Sequence, residues 1–197
     1  MSLLVAPAGG QELSAEEMVA ACVILLFAGH ETTANLIGNG MHALVRSPDQ
    51  LALIRDAPSL AAPAVEEMLR IDAPVQRVRR VALQDFELGG RRIAAGELVM
   101  AFLGAANRDP ARFRDPDRLD VQRQDGPHIS FGHGVHFCLG AALSRIEAPI
   151  AVSALLDAFP GLRLDPEHPP VWKRNITFRG LEALSLVASG DSRRGAG

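Results

Sequence analysis

From Ser14 to Ser47 no proline interrupts the chain, and the run opens on Ser14-Ala15-Glu16-Glu17. In that arrangement a serine hydroxyl takes an orphan amide while the glutamate three positions on reaches back to the cap. An apolar seam continues through Leu36, Ile37 and Leu44 to Ser47-Pro48, where proline, lacking an amide hydrogen, breaks the pattern. The run predicts a single helix on the order of 50 Å long at 1.5 Å per residue. Such a helix is a central strut with neighbours on several sides.

The elements after it are short. Ser47-Pro48 caps a helix through Ile54, and a further helix ends near Ile71, before Ala73-Pro74. Val75 to Leu83 and Phe86 to Ile93 are expected as strands, with Gly89-Gly90 suited to the positive φ values of a tight hairpin turn. From Asn107 to Pro127 prolines and aspartates predict an ordered meander. A last helix is expected from about Cys138 to Ala158, with a local irregularity at Pro149. Short strands near Leu162, Ile176 to Phe178 and Leu184 to Val187 follow, and residues 189–197 are expected as a disordered tail. The fold class is mainly α with small β-sheets.

Hydrophobic residues make up 48% and charged residues 22% of the 197 positions, enough for a sizeable core. A net charge of −3 gives no footprint for nucleic acid. The longest apolar stretch, Met18 to Gly29, is shorter than the roughly 20 residues of a membrane span, and no basic segment precedes it. No membrane partner is expected. With only Cys22 and Cys138 there is no disulfide framework, so a reducing, cytoplasmic setting is expected. Cys22, inside the apolar run, is assigned to the core.

Cys138 sits in Phe131-Gly132-His133-Gly134-Val135-His136-Phe137-Cys138-Leu139-Gly140. A metal-bound thiolate needs backbone amides near its sulfur, and Gly132, Gly134 and Gly140 let the main chain approach without a Cβ. A position at the start of a helix favours negative charge on sulfur. His136 can donate to an anionic group nearby. Two other arrangements compete on these residues alone: an ordinary core cysteine in a turn, and a zinc site of His133, His136 and Cys138 with His128 as fourth ligand.

Within the long helix, Gly29 and the pair Thr32-Thr33 are poor helix formers flanking His30 and Glu31. A threonine hydroxyl can compete for the carbonyl one turn back, and Gly29 leaves room for a small molecule beside the backbone. Glu67 and Arg70 can pair on one helix face. Arg80 has the planar fork that holds carboxylates in two-point geometry, with Arg77 and Arg79 as neighbours that leave the strand register open.

The cysteine segment resembles the haem-binding loop of the cytochrome P-450 family, F-G-x-G-x-H-x-C-x-G, at every fixed position. Ala28-Gly29-His30-Glu31-Thr32-Thr33 is similar to that family's oxygen-activation motif, and Glu67-Met68-Leu69-Arg70 to its E-x-x-R. Phe113-Arg114-Asp115-Pro116-Asp117-Arg118 is similar to its meander, with Leu119 where phenylalanine is more usual, and Ala106-Asn107-Arg108-Asp109-Pro110 is typical of its bacterial, soluble branch.

The resemblance implies haem b, iron protoporphyrin IX, ligated by Cys138, whose sulfur pushes electron density to favour O–O cleavage. It implies cofactor contacts at Phe131, Gly132, Gly140 and Gly29, propionates held by Arg80 and His136, and dioxygen and protons managed by Thr32 and Glu31. Glu67, Arg70 and Arg118 would form a buried structural network. The implied activity is monooxygenation of a small organic molecule, with electrons from a ferredoxin or flavodoxin and its NAD(P)H-dependent reductase. The alternatives are a truncated, non-catalytic remnant and the zinc module. Family members are about twice this length, so residues 1–197 are expected as a single partial domain, the carboxy-terminal half, with Met1 an internal methionine. That half is expected to comprise the long helix, the E-x-x-R helix, the meander, the cysteine loop and the helix after it.

Overall fold

The computed structural model describes residues 13–188. The tail expected at 189–197 lies outside the described residues. Helix α1 covers Ala15–Val45 as a single 31-residue element, with the Ser14 and Glu17 capping box formed in both directions. Hydrogen bonds from Ser14 hold the Glu17 carboxyl below its ordinary range.

Helix α2 (Pro48–Asp56) and a 3-10 turn at Pro58–Leu60 lead into α3 (Ala61–Ile71). Strands β1 (Arg77–Val81), β2 (Phe86–Leu88), β3 (Arg91–Ile93) and β4 (Leu98–Phe102) follow, and a short α4 (Leu103–Ala106) continues directly from β4. β2 and β3 form the expected hairpin, with Gly89 at φ 57° and Gly90 at φ 75°. β1 pairs antiparallel with β4, Arg77 opposite Phe102 and Val81 opposite Leu98. β4 was not expected: Leu98 to Phe102 is an unalternating apolar run that turns at once into helix.

After the meander and a 3-10 turn at Gly134–His136 comes α5 (Ala141–Ala158). It begins three residues later than expected, because the Ala141 amide closes a turn on the Cys138 carbonyl and Gly140 takes the cap. α5 runs through Pro149 unbroken; the lost amide bond does not stop a helix packed along its length. Strands β5 (Arg163–Leu164), β6 (Val171–Trp172), β7 (Leu181–Ala183) and β8 (Leu186–Val187) make two small antiparallel pairs, β5 with β8 and β6 with β7. Ile176 to Phe178 is a turn and not a strand. The Asn175 side chain accepts the Thr177 and Phe178 amides there, and a lone bridge joins Phe178 to Val75.

The core lies where the second half of α1 (Leu36, Met41, Leu44) meets α2, α3 and α5, closed by Leu119 and Val121 of the meander. By length and composition α1 is apolar enough to cross a membrane, and the stretch that makes it so is only 11% buried, whereas its second half is packed inside protein. The first half of α1 is exposed on the described surface, Leu26 at 74%.

Candidate functional site

The cysteine loop is tied down before it reaches its sulfur. Asn107, fully buried, accepts the Ile129 amide at 2.9 Å and donates to the Ser130 hydroxyl at 2.7 Å. That hydroxyl donates to the Leu69 carbonyl on α3 at 2.6 Å. Gly132 and Gly134 both take φ 74°, a conformation that demands glycine. The bend they make returns the Cys138 amide to the Phe131 carbonyl at 2.9 Å. Gly140 is different: it caps α5 at φ −83°, and a Cβ there would stand an ordinary 4.0 Å from the Cys138 sulfur.

Between this loop and α1 lies a cavity of about 510 Å³, within the roughly 300–1,000 Å³ of clefts that take small molecules and cofactors. The loop supplies Phe131, Gly132, His133, His136 and Cys138, while α1 supplies Phe27, Ala28, Thr32 and Leu36. β1 adds Val78 and Arg80. Of the three arginines Arg80 lines the cavity, beside Val78, whereas Arg77 and Arg79 line a neighbouring cleft that Val78 shares, where Arg77 donates to the Thr177 hydroxyl at 3.0 Å.

On α1 the expected pair divides. The Thr32 hydroxyl, on the cavity wall, donates to the Ala28 carbonyl at 2.6 Å. Glu31 faces away from that cavity and pairs with Lys173 at 3.2 Å, which also reaches the Asn35 side-chain oxygen at 3.3 Å. Gly29 is not on the cavity wall, and a Cβ there would meet nothing within 4 Å. Lys173 is the only lysine in an arginine-rich chain, the one sequence signal that could have singled it out. Asn107 and Ser130 carried no signal of their anchoring role.

Beneath the loop, Glu67 accepts from Arg70 at 2.7 and 2.8 Å, from Arg123 at 3.1 Å and from the Asp120 amide at 3.0 Å. The second guanidinium of the network is therefore that of Arg123 and not Arg118. The Arg118 side chain is exposed, and Arg118 joins through its carbonyl, which accepts from Arg70 and Arg123 at 3.1 Å each. The turns of the meander carry Arg123 back over the acid, where the resemblance of Phe113 to Arg118 to the family's meander had implied Arg118.

The donors suggest which group fits. A mainly apolar slot with a thiol on one wall, and an arginine and a histidine also on its lining, suits a flat hydrophobic macrocycle carrying a metal at its centre and carboxylates at its edge. Zinc does not suit it: among the described residues no three histidine, cysteine or acidic side chains stand together as a metal site. A family model described as cytochrome P450 matches residues 58–175. The chain belongs to the cytochrome P450 family.

Cytochrome P450 107B1 of Saccharopolyspora erythraea is 49% identical over 187 residues, which are 94% of this chain and 46% of that one. Cytochrome P450 monooxygenase PikC of Streptomyces venezuelae is 49% identical over 179 residues, 90% of this chain and 43% of that protein. Among solved structures, P450BioI in complex with an acyl carrier protein ligated to hexadec-9Z-enoic acid superposes with a TM-score of 0.89 at 44% identity, covering 95% of this chain and 48% of that one. The chain thus spans about half the length of the cytochromes P450 it matches. The cofactor of the family is haem b.

Proposed function

We propose that this chain carries the haem-holding part of a cytoplasmic monooxygenase acting on a small organic molecule. The observation that supports it is the cavity uniting Cys138, His136 and Arg80 with Thr32 of α1 on its walls. Haem, when bound, supplies the redox chemistry by which two electrons and two protons split dioxygen, one atom going to the substrate and the other to water.

The residues divide the remaining work. Cys138 offers its sulfur to the iron, and the Phe131 carbonyl fixes the backbone that aims it. Arg80 and His136 receive the propionates, arginine through a planar fork suited to carboxylate. Phe131, Val78 and Leu36 keep water from the macrocycle. Thr32 presents a hydroxyl at the wall, ready to exchange its bond to the Ala28 carbonyl for a polar guest. Glu31 is a proton carrier whose resting partner is Lys173, so it must turn to serve the cavity. Electrons come from a ferredoxin or flavodoxin with an NAD(P)H-dependent reductase.

The test is Cys138→Ser in the haem-loaded protein. The reduced carbon monoxide complex is expected to lose the absorbance signature of thiolate ligation, and oxygenation with it. A variant that keeps both overturns the assignment.

A further inference from the structure

Arg145 lies in α5, beyond Cys138, and a helical side chain leans toward the amino end of its helix. Its guanidinium therefore reaches back toward the cysteine loop. Nε and Nη2 donate to the two oxygens of Glu66 on α3 at 2.8 and 3.0 Å. The guanidinium carbon stands 4.7 Å from the centre of the Phe131 ring, within the distance at which a cation is held by an aromatic face. Phe131 is the residue whose carbonyl receives the Cys138 amide at 2.9 Å. One arginine thus braces the residue that fixes the backbone of the sulfur.

Glu66 is itself pinned. Burial pulls its carboxyl upward, but His128 and Arg145 beside it outweigh that and hold it at about 2, so it is an anion at any working pH. The His128 Nε2 stands 3.2 Å from the carboxylate without lining up as a hydrogen bond. The other ring nitrogen accepts the Ser130 amide at 3.1 Å, and the ring lies 5.7 Å from that of Phe131. Glu66, His128 and Arg145 do not line the cavity, and the proposed chemistry leaves them without a task. The Arg145 guanidinium lies over the ring of the residue that receives the Cys138 amide, and its bond to Glu66 first, with negative charge on Cys138 after it, favours its charged form.

We propose that Arg145, anchored by Glu66 and seated on Phe131, is a positioning residue that sets a fixed positive charge behind the Cys138 sulfur. The balance of charge between Arg145 and Glu66 then governs how readily the iron takes up an electron. This rests on the haem reading above. A cation near the sulfur favours the reduced state, which carries one more negative charge, and the anion beside that cation opposes it. A brace without an electrostatic role makes another prediction: removing either partner loosens the loop in the same way.

The experiment is a spectroelectrochemical titration of the haem-loaded protein for wild type, Arg145→Gln, Glu66→Gln and the double variant. Arg145→Gln is expected to move the midpoint potential to more negative values and Glu66→Gln to more positive ones. The double variant should lie between them. The shifts should shrink in high salt, since the two side chains are 43% and 41% exposed. Two shifts of the same sign, or none, overturn the electrostatic role.

Hydrogen exchange on this chain without haem tests the brace separately. Arg145→Gln, and Arg145→Lys with its single-point ammonium, should speed exchange of the Cys138 amide, and an unchanged rate overturns the positioning role. A wild-type chain that shows no thiolate-ligated spectrum even when fused to the part of a relative that it does not span overturns the haem reading and the electrostatic role with it. The exchange measurement then judges the brace by itself.

Discussion

Glu67 and its side-chain partners Arg70 and Arg123 are nearly shut off from solvent, with side chains 3%, 2% and 8% exposed. A buried ion pair is weak evidence of net stabilisation, but taking away one partner strands the other, at about 3–5 kcal/mol. Arg123→Ala should therefore lower stability by about 3 kcal/mol, partly relieved because Arg70 still holds Glu67. Arg118→Ala, on an exposed side chain, should change it by less than about 0.5 kcal/mol. Urea denaturation of the two variants checks this, and equal losses would return Arg118 to the network. Thr32 poses a different question, since its hydroxyl is spent on a backbone carbonyl in the resting chain. If that hydroxyl serves the reaction, Thr32→Ala in the haem-loaded protein should keep consuming electrons while forming less product. Unchanged coupling, measured as product per NAD(P)H oxidised, would remove Thr32 from the chemistry.

At the scale of elements, α1 works as two helices in one. Its second half is core, and Gly40 there faces Met68 of α3 so closely that a Cβ would fall 2.9 Å from the Met68 Cγ and nearer still to its sulfur. Gly40→Ala sets an overpacking cost of about 1–3 kcal/mol against up to ~1 kcal/mol that alanine gains over glycine in a helix. A lower melting temperature is expected, and a higher one would mean that Met68 yields freely. None of this crowding is visible in the sequence, where Gly40 is only a weak helix former. What was legible shares a local cause: the capping box, the proline stops, the Gly89-Gly90 turn and the glycine bend before Cys138 each depend on neighbours in sequence. β4, the choice of Arg123 over Arg118 and the turning of Glu31 toward Lys173 depend on residues far apart in the chain, and no periodicity encodes them. Arg80 shows the boundary between the two. Its chemistry was legible, while its facing needed the β1 and β4 pairing to be known.

At the scale of the whole molecule, the cavity has a floor and one long wall. Phe27 and Leu26 on α1, and Leu139, Leu143, Ile146 and Ile150 on and before α5, are half or more exposed in the described chain. Of these only Phe27 lines the cavity, and where large apolar side chains form a contiguous exposed patch, further protein or a ligand is expected to cover it. A macrocycle laid against Cys138 would therefore bury one face on the loop and leave much of the other in solvent, forgoing roughly 25 cal/mol for each Å² of apolar surface left wet. Haemin titrated into this chain by itself should accordingly bind weakly, without a sharp stoichiometric end point. The same titration should tighten when the chain is fused to the part of a relative such as PikC that it does not span, and no tightening would mean that this part does not cover the face. A tight one-to-one complex of the isolated chain, with the thiolate signature in its reduced carbon monoxide spectrum, would show instead that the loop, β1 and α1 hold the cofactor without help, and the exposed rows would then need another occupant.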